Sequence, residues 1–153
     1  MNKRKVVEKF CGELRAQFDL LRRASETART DATDEESRAR SKYDTQGLEA
    51  SYLAAGQADR AEELAATIAT FSATPFPPFN PKDAIAEGAL VETVFERERS
   101  WFLLSPCAGG MTIDYEGAEI TVLGPGAPVR RHLQGLKAGD RLKQPSLTIK
   151  SVS

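Results

Sequence analysis

The stretch Ala73-Thr-Pro-Phe-Pro-Pro-Phe-Asn-Pro81 packs four prolines into nine residues, and no helix continues through it. On its N-terminal side, residues 1–71 contain no proline and are rich in Ala, Glu, Arg and Leu. On its C-terminal side, short β-branched and aromatic runs alternate with glycines. The change in grammar predicts a helical part over 1–72, a stiff linker over 73–87 and a β-rich part over 88–153.

In the helical part, Val7, Leu14, Leu21 and Ala28 recur every seven residues, with Phe10, Cys11, Phe18 and Ala24 thickening the stripe. This is the seam of one long helix, about 40 Å at 1.5 Å per residue. A second seam runs Tyr43, Gly47, Ala50, Ala54, Gln57, Ala61, Leu64, Ile68 and Phe71 in steps of three and four. Between them sits Thr30-Asp-Ala-Thr-Asp-Glu-Glu36, in which Thr33 and Glu36 have the form of a capping box opening the second helix. A connection this short makes the helices antiparallel neighbours, with the turn near 29–34. Bulky residues gather at the base of both seams, and alanine, glycine and glutamine dominate toward the turn. The pattern predicts a slender arm anchored at one end.

In the second part, Ala89–Phe95, Ser100–Leu104, Met111–Tyr115, Glu119–Leu123 and Leu147–Val152 read as strands. Pro128–Gln134 reads as a short helix with proline in its first turn and Gly135 as its stop. The predicted fold class is α+β: an antiparallel coiled-coil hairpin followed by a small β-rich domain.

The composition excludes several roles. A net charge of −1 argues against a protein held on duplex DNA mainly by phosphate contacts, although a local basic patch is compatible with it. Cys11 and Cys107 lie far apart and His132 is the single histidine, so no zinc site is expected, and free thiols suit a cytoplasmic location. The start MNKRKVVEKFCGEL has basic residues but no apolar run after them, and no segment approaches the roughly 18 apolar residues of a membrane span. No membrane partner is expected. No nucleophile has an evident base, and there is no glycine-rich phosphate loop.

Four acids, Asp31, Asp34, Glu35 and Glu36, fall within six residues at the expected tip. Acids at a helix start also complement its dipole and cap its free N–H groups, so the cluster alone does not identify a site. Arg22, Arg23, Arg29, Arg38, Arg40 and Lys42 surround it; such charges steer an arm toward RNA or protein acids, or simply solvate a helix face. Tyr43 either packs across the hairpin or contacts nucleic acid.

The stretch Ala127-Pro-Val-Arg-Arg-His-Leu-Gln-Gly-Leu-Lys-Ala-Gly-Asp140 resembles the Ser-Pro-Leu-Gly-x-x-Leu-x-Gly-x-x-x-Gly-Asp signature of the bacterial Gre transcript-cleavage factors. Pro128, Leu133, Gly135, Gly139 and Asp140 match it in place. The order of parts, hairpin first and β-rich domain second, is that of the same family, so the resemblance spans nearly the whole chain. It implies an FKBP-like C-terminal domain that docks on bacterial RNA polymerase through an apolar surface, with Pro128 and Leu133 on the partner-binding side. It also implies that the hairpin enters the secondary channel, with Arg38, Arg40 and Tyr43 near polymerase or the nascent RNA 3′ end.

The tip acids Asp34, Glu35, Asp31 and Glu36 would then help hold a Mg²⁺ ion shared with the polymerase, the chain having no cofactor of its own. Hard Mg²⁺ is held by one or two carboxylates together with phosphate oxygens and waters, and two metals stabilise the attacking and leaving oxygens. Such a protein is a monomeric accessory factor, not an enzyme, that stimulates the polymerase's own cleavage of backtracked RNA. The tip departs from the family: the usual Asp-Leu-Ser-Glu-Asn followed by Glu-Tyr is missing, and Tyr43-Asp44 follows the acids instead. A channel regulator that binds without promoting cleavage is therefore a second reading, a coiled-coil adaptor unrelated to polymerase a third, and a prolyl isomerase a fourth.

Overall fold

A computed structural model describes residues 1–33, 46–143 and 146–153. The chain is α+β: two long N-terminal helices precede a mixed six-stranded sheet. Helix α1 spans Lys3–Thr33 and α2 spans Gln46–Ala73. The contacts divide the chain into two compact units, one of Met1–Cys11 with Thr70–Ser153 and one of Gly12–Ala69.

The unit Gly12–Ala69 holds most of both helices. Leu14, Ala28, Ala54 and Ala61 are buried along the seam, and Ser25 Oγ donates to the Ala54 carbonyl at 3.2 Å. In the other unit Phe10 of α1 meets Phe71 of α2, with ring centroids 6.1 Å apart. As the chain advances along α1 its partner recedes along α2, so the helices run antiparallel. Helix α1 continues through 29–33, where the turn was expected, so Thr33 lies within α1 and is not a cap that opens α2; Glu36 lies outside the described residues. Within this stretch the Thr27 and Thr30 hydroxyls donate back to the carbonyls of Arg23 and Glu26, four residues earlier, so both are satisfied inside the helix and neither caps a new one. Ala24 is exposed while its neighbour Ser25 turns toward α2.

The unit Met1–Cys11 with Thr70–Ser153 contains the sheet. Its strands are β1 (Leu90–Phe95), β2 (Glu98–Leu104), β3 (Thr112–Tyr115), β4 (Ala118–Leu123), β5 (Arg141–Lys143) and β6 (Ser146–Val152), with helix α3 (Pro128–Leu133) between β4 and β5. The spatial order is β3-β4-β2-β1-β6-β5; every pairing is antiparallel except β2 with β4. The β-branched and aromatic runs read from the sequence are the strands found, and several are buried on both faces. One face carries Val91, Leu104, Leu123, Leu147, Ile149 and Val152, packed with Ile85 and with Leu133 of α3. The other face buries Leu90, Leu103, Ile113, Ile120 and Val122. Beside that second face Lys9 of α1 donates to the Asp114 carbonyl on edge strand β3.

The proline-rich stretch packs onto this unit. Phe76 lies 5.1 Å from Phe71, and the Lys3 ammonium donates to the carbonyls of Pro77 and Gly88 while sitting 4.8 Å above the Phe79 ring. The β1–β2 hairpin turns on Glu96 and Arg97, both with positive φ (48° and 75°), which is the backbone of a two-residue type I′ turn without its usual Asn-Gly. Strand β5 was not anticipated, being three residues long with two charges, too short to establish a period.

Candidate functional site

The segment Ala127–Asp140 shows what its recurring residues do. Pro128 opens α3, where its fixed φ suits a first turn and its missing N–H costs no hydrogen bond. Leu133 is fully buried in the core beneath the helix, so its side chain offers a partner no surface. Gly135 and Gly139 have φ of 86° and 93°, values that penalise any residue with a Cβ. Each also donates its N–H outside the segment, Gly135 to Ile85 O and Gly139 to Ile149 O, both at 2.9 Å. Asp140 closes the loop, its carboxylate accepting the Lys137 N–H at 2.8 Å. These residues fix the path of the backbone, and that path sets where α3 presents Val129.

Val129 lines an apolar cleft of about 280 Å³ together with Thr93 and Phe95 of β1, Ser100 and Phe102 of β2, and Leu147 of β6. Phe95 is 40% exposed and Val129 36%, so large apolar side chains stand at the rim of this cleft. Thr93 Oγ1 is already engaged with the Ser100 carbonyl at 3.3 Å. No titratable group lines the cleft, so it offers apolar contact area and no group to move a proton.

Behind α3, Arg130 is buried and holds the helix to the sheet. Its Nη1 donates to the carbonyls of Ser105 (2.8 Å) and Leu123 (3.1 Å), and its Nη2 to the Glu87 carboxylate. Sequence reading missed this anchor because Glu87 lies 43 residues away in the linker.

Of the tip residues, Asp31 lies in the last turn of α1. Asp34, Glu35, Glu36, Arg38, Arg40 and Tyr43 lie outside the described residues. Among the described residues no group of three or more His, Cys, Asp or Glu side chains is arranged to hold a metal ion, and no helix is long and apolar enough to cross a membrane.

Neither a family model nor a curated protein matches the sequence. Among solved structures, the chain is similar to the GreA factor homolog 1 of Thermus thermophilus, at 17% identity and a TM-score of 0.37 over 94% of each chain.

Proposed function

We propose that this chain is an accessory factor of bacterial RNA polymerase, of the Gre type, that docks through the Phe95–Phe102–Val129–Leu147 cleft and carries acids on a helical arm. The observation that carries this reading is the signature segment itself. Its matched residues occupy the positions where a proline, a buried leucine, two positive-φ glycines and a turn aspartate are physically required, and the helix they build opens onto the apolar cleft. On this reading the sheet domain is FKBP-like and supplies affinity. The acids Asp31, Asp34, Glu35 and Glu36, which follow or end α1, supply oxygen ligands for the polymerase's second Mg²⁺, a hard cation that takes such donors. Arg38, Arg40 and Tyr43 contact polymerase or the RNA 3′ end. The factor has no chemistry alone; it lends carboxylates to a site that cuts backtracked RNA.

The docking half is tested by competition for core bacterial RNA polymerase between labelled native chain and full-length Phe95→Asp or Val129→Asp. Phe95 is 40% and Val129 36% exposed, and a thermal melt of each variant checks that it is folded. A charge placed in an apolar interface core weakens binding tenfold or more, on the order of the 1–3 kcal/mol lost when a buried polar group goes unpaired. Equal competition by both variants removes the cleft from the interface. A second reading, binding without cleavage, is favoured by the tip sequence, which lacks the usual Asp-Leu-Ser-Glu-Asn.

A further inference from the structure

We propose that the open half of the second sheet face, on the opposite side from the apolar cleft, binds a single strand of nucleic acid. The strand registers place its residues. Arg141 and Lys143 of β5 pair with Thr148 and Ser146 of β6; Thr148 pairs with Val94 of β1, Val94 with Arg99 of β2, and Glu92 with Trp101. Partners across a sheet share a face, so Arg141, Lys143, Arg99 and Trp101 stand on one side. Lys150 joins them. The β1–β6 register shifts by one residue beyond the Thr93–Ile149 pair, so that Glu92 faces Ser151 with Lys150 as the extra residue. In such a bulge both residues of the bulged strand point the same way, and Ser151 Oγ donates to Glu92 at 3.1 Å on this face.

The charge on this surface is one-sided. Arg141, Lys143 and Lys150 are exposed and make no ion pair or side-chain hydrogen bond among the described residues. Glu92 is the only acid on this face of β1, β2, β5 and β6, and Ser151 and Arg99 (3.6 Å) already engage it. A patch of unpaired cations in a chain of net charge −1 is a local feature, not a reflection of overall composition. Along β5 the cations are spaced about 7 Å apart, two residues of extended strand. Half-buried Trp101, beside Arg99 on β2, adds an aromatic surface to the same face. Cations that track a phosphate backbone combined with an aromatic for base stacking are what a single strand requires. An acidic peptide needs the cations but gives the indole no role, which is why the nucleic acid is favoured.

Trp101 is the only tryptophan, so its fluorescence reports on this face alone. The experiment titrates the full chain with oligouridylate and oligothymidylate of roughly fifteen nucleotides, a length that covers a single-strand site. Saturable quenching of Trp101 is expected, with log affinity falling against log salt by about 0.7 for each phosphate neutralised. Arg141→Ala/Lys143→Ala/Lys150→Ala should weaken binding at least tenfold and reduce that slope by about 2, with its thermal melt unchanged. Arg131→Ala/Lys137→Ala, on the α3 side, should bind as the native chain does. The proposal is overturned by the absence of saturable quenching in the native chain, by equal losses in the two variants, or by an oligoglutamate peptide binding as tightly as either oligonucleotide. A stronger response to one oligonucleotide assigns the sugar preference and supports the proposal. Because no polymerase is present, a failure here leaves the docking reading intact, and a failure of docking leaves this one intact.

Discussion

The Arg130 guanidinium grips the Glu87 carboxylate with one nitrogen and the Ser105 and Leu123 carbonyls with another, tying α3, the linker and two strand ends together. A planar fork makes these contacts at once, which a lysine ammonium cannot reproduce. Arg130→Met should cost about 2 kcal/mol, because the Ser105 carbonyl and the Glu87 carboxylate lose the guanidinium, while Leu123 O keeps the Ser105 N–H. Arg130→Lys should recover only part of it. Urea denaturation of the three proteins measures the effect, and a Met variant within about 0.5 kcal/mol of native would show the anchor to be dispensable.

Gly135 has φ of 86° with open space around the position a Cβ would occupy. Gly135→Ala therefore meets a backbone penalty and no steric one, about 1–2 kcal/mol. The same urea measurement checks it. A neutral outcome would mean that the loop after α3 relaxes to a negative φ without loss.

The β1–β2 hairpin gives the opposite sign. Glu96 and Arg97 both hold positive φ, where Asn and Gly are at ease and long side chains are not. Replacing the pair with Asn-Gly should stabilise the protein by about 1 kcal/mol. A lower melting temperature in that variant would show that the two charges contribute more than the turn costs.

Lys3 introduces a pH dependence. Burial lowers its pKa from 10.5 to about 8 in the folded chain. Between these values the unfolded chain holds a proton that the folded chain has released, so stability rises with pH across the window from about 8 to 10.5. Burial also pushes the Cys107 thiol up from 9.0, which works in the other direction, since the folded chain then keeps its proton longer. Comparing native with Lys3→Met cancels the cysteine. The native denaturation midpoint should climb relative to the variant from pH 8 upward; parallel curves would show that the Pro77 and Gly88 carbonyls hold the ammonium charged throughout.

The element pattern was legible because it rests on periodicity. Seven-residue recurrence from Val7 to Ala28 marked α1, and β-branched runs set off by glycines in 89–95 and 119–123 marked β1 and β4. What escaped was non-local or too short for a period. Strand β5 owes its existence to pairing with β6, the Arg130–Glu87 contact joins distant segments, and the Glu96-Arg97 turn carries no turn residue. The turn was expected too early because Thr33 and Glu36 have the form of a capping box, whereas α1 runs through Thr33. The signature residues were visible, but their chain positions did not show that Leu133 faces inward and Val129 outward.

The proposed role of Asp31 in α1 and of the acids that follow it is to act on a polymerase metal. It is tested most directly by transcript cleavage in stalled, backtracked elongation complexes of bacterial RNA polymerase, with native chain and with Asp31→Ala, Asp34→Ala, Glu35→Ala and Glu36→Ala. A carboxylate that positions metal acts mainly in the transition state, so its loss should lower the cleavage rate by orders of magnitude while binding persists. Asp34→Ala and Glu35→Ala should be the most damaging, and each should compete with the native chain. Cleavage at the native rate by all four variants would contradict the claim, and a native chain that binds and inhibits without any cleavage would replace it with the channel-regulator reading.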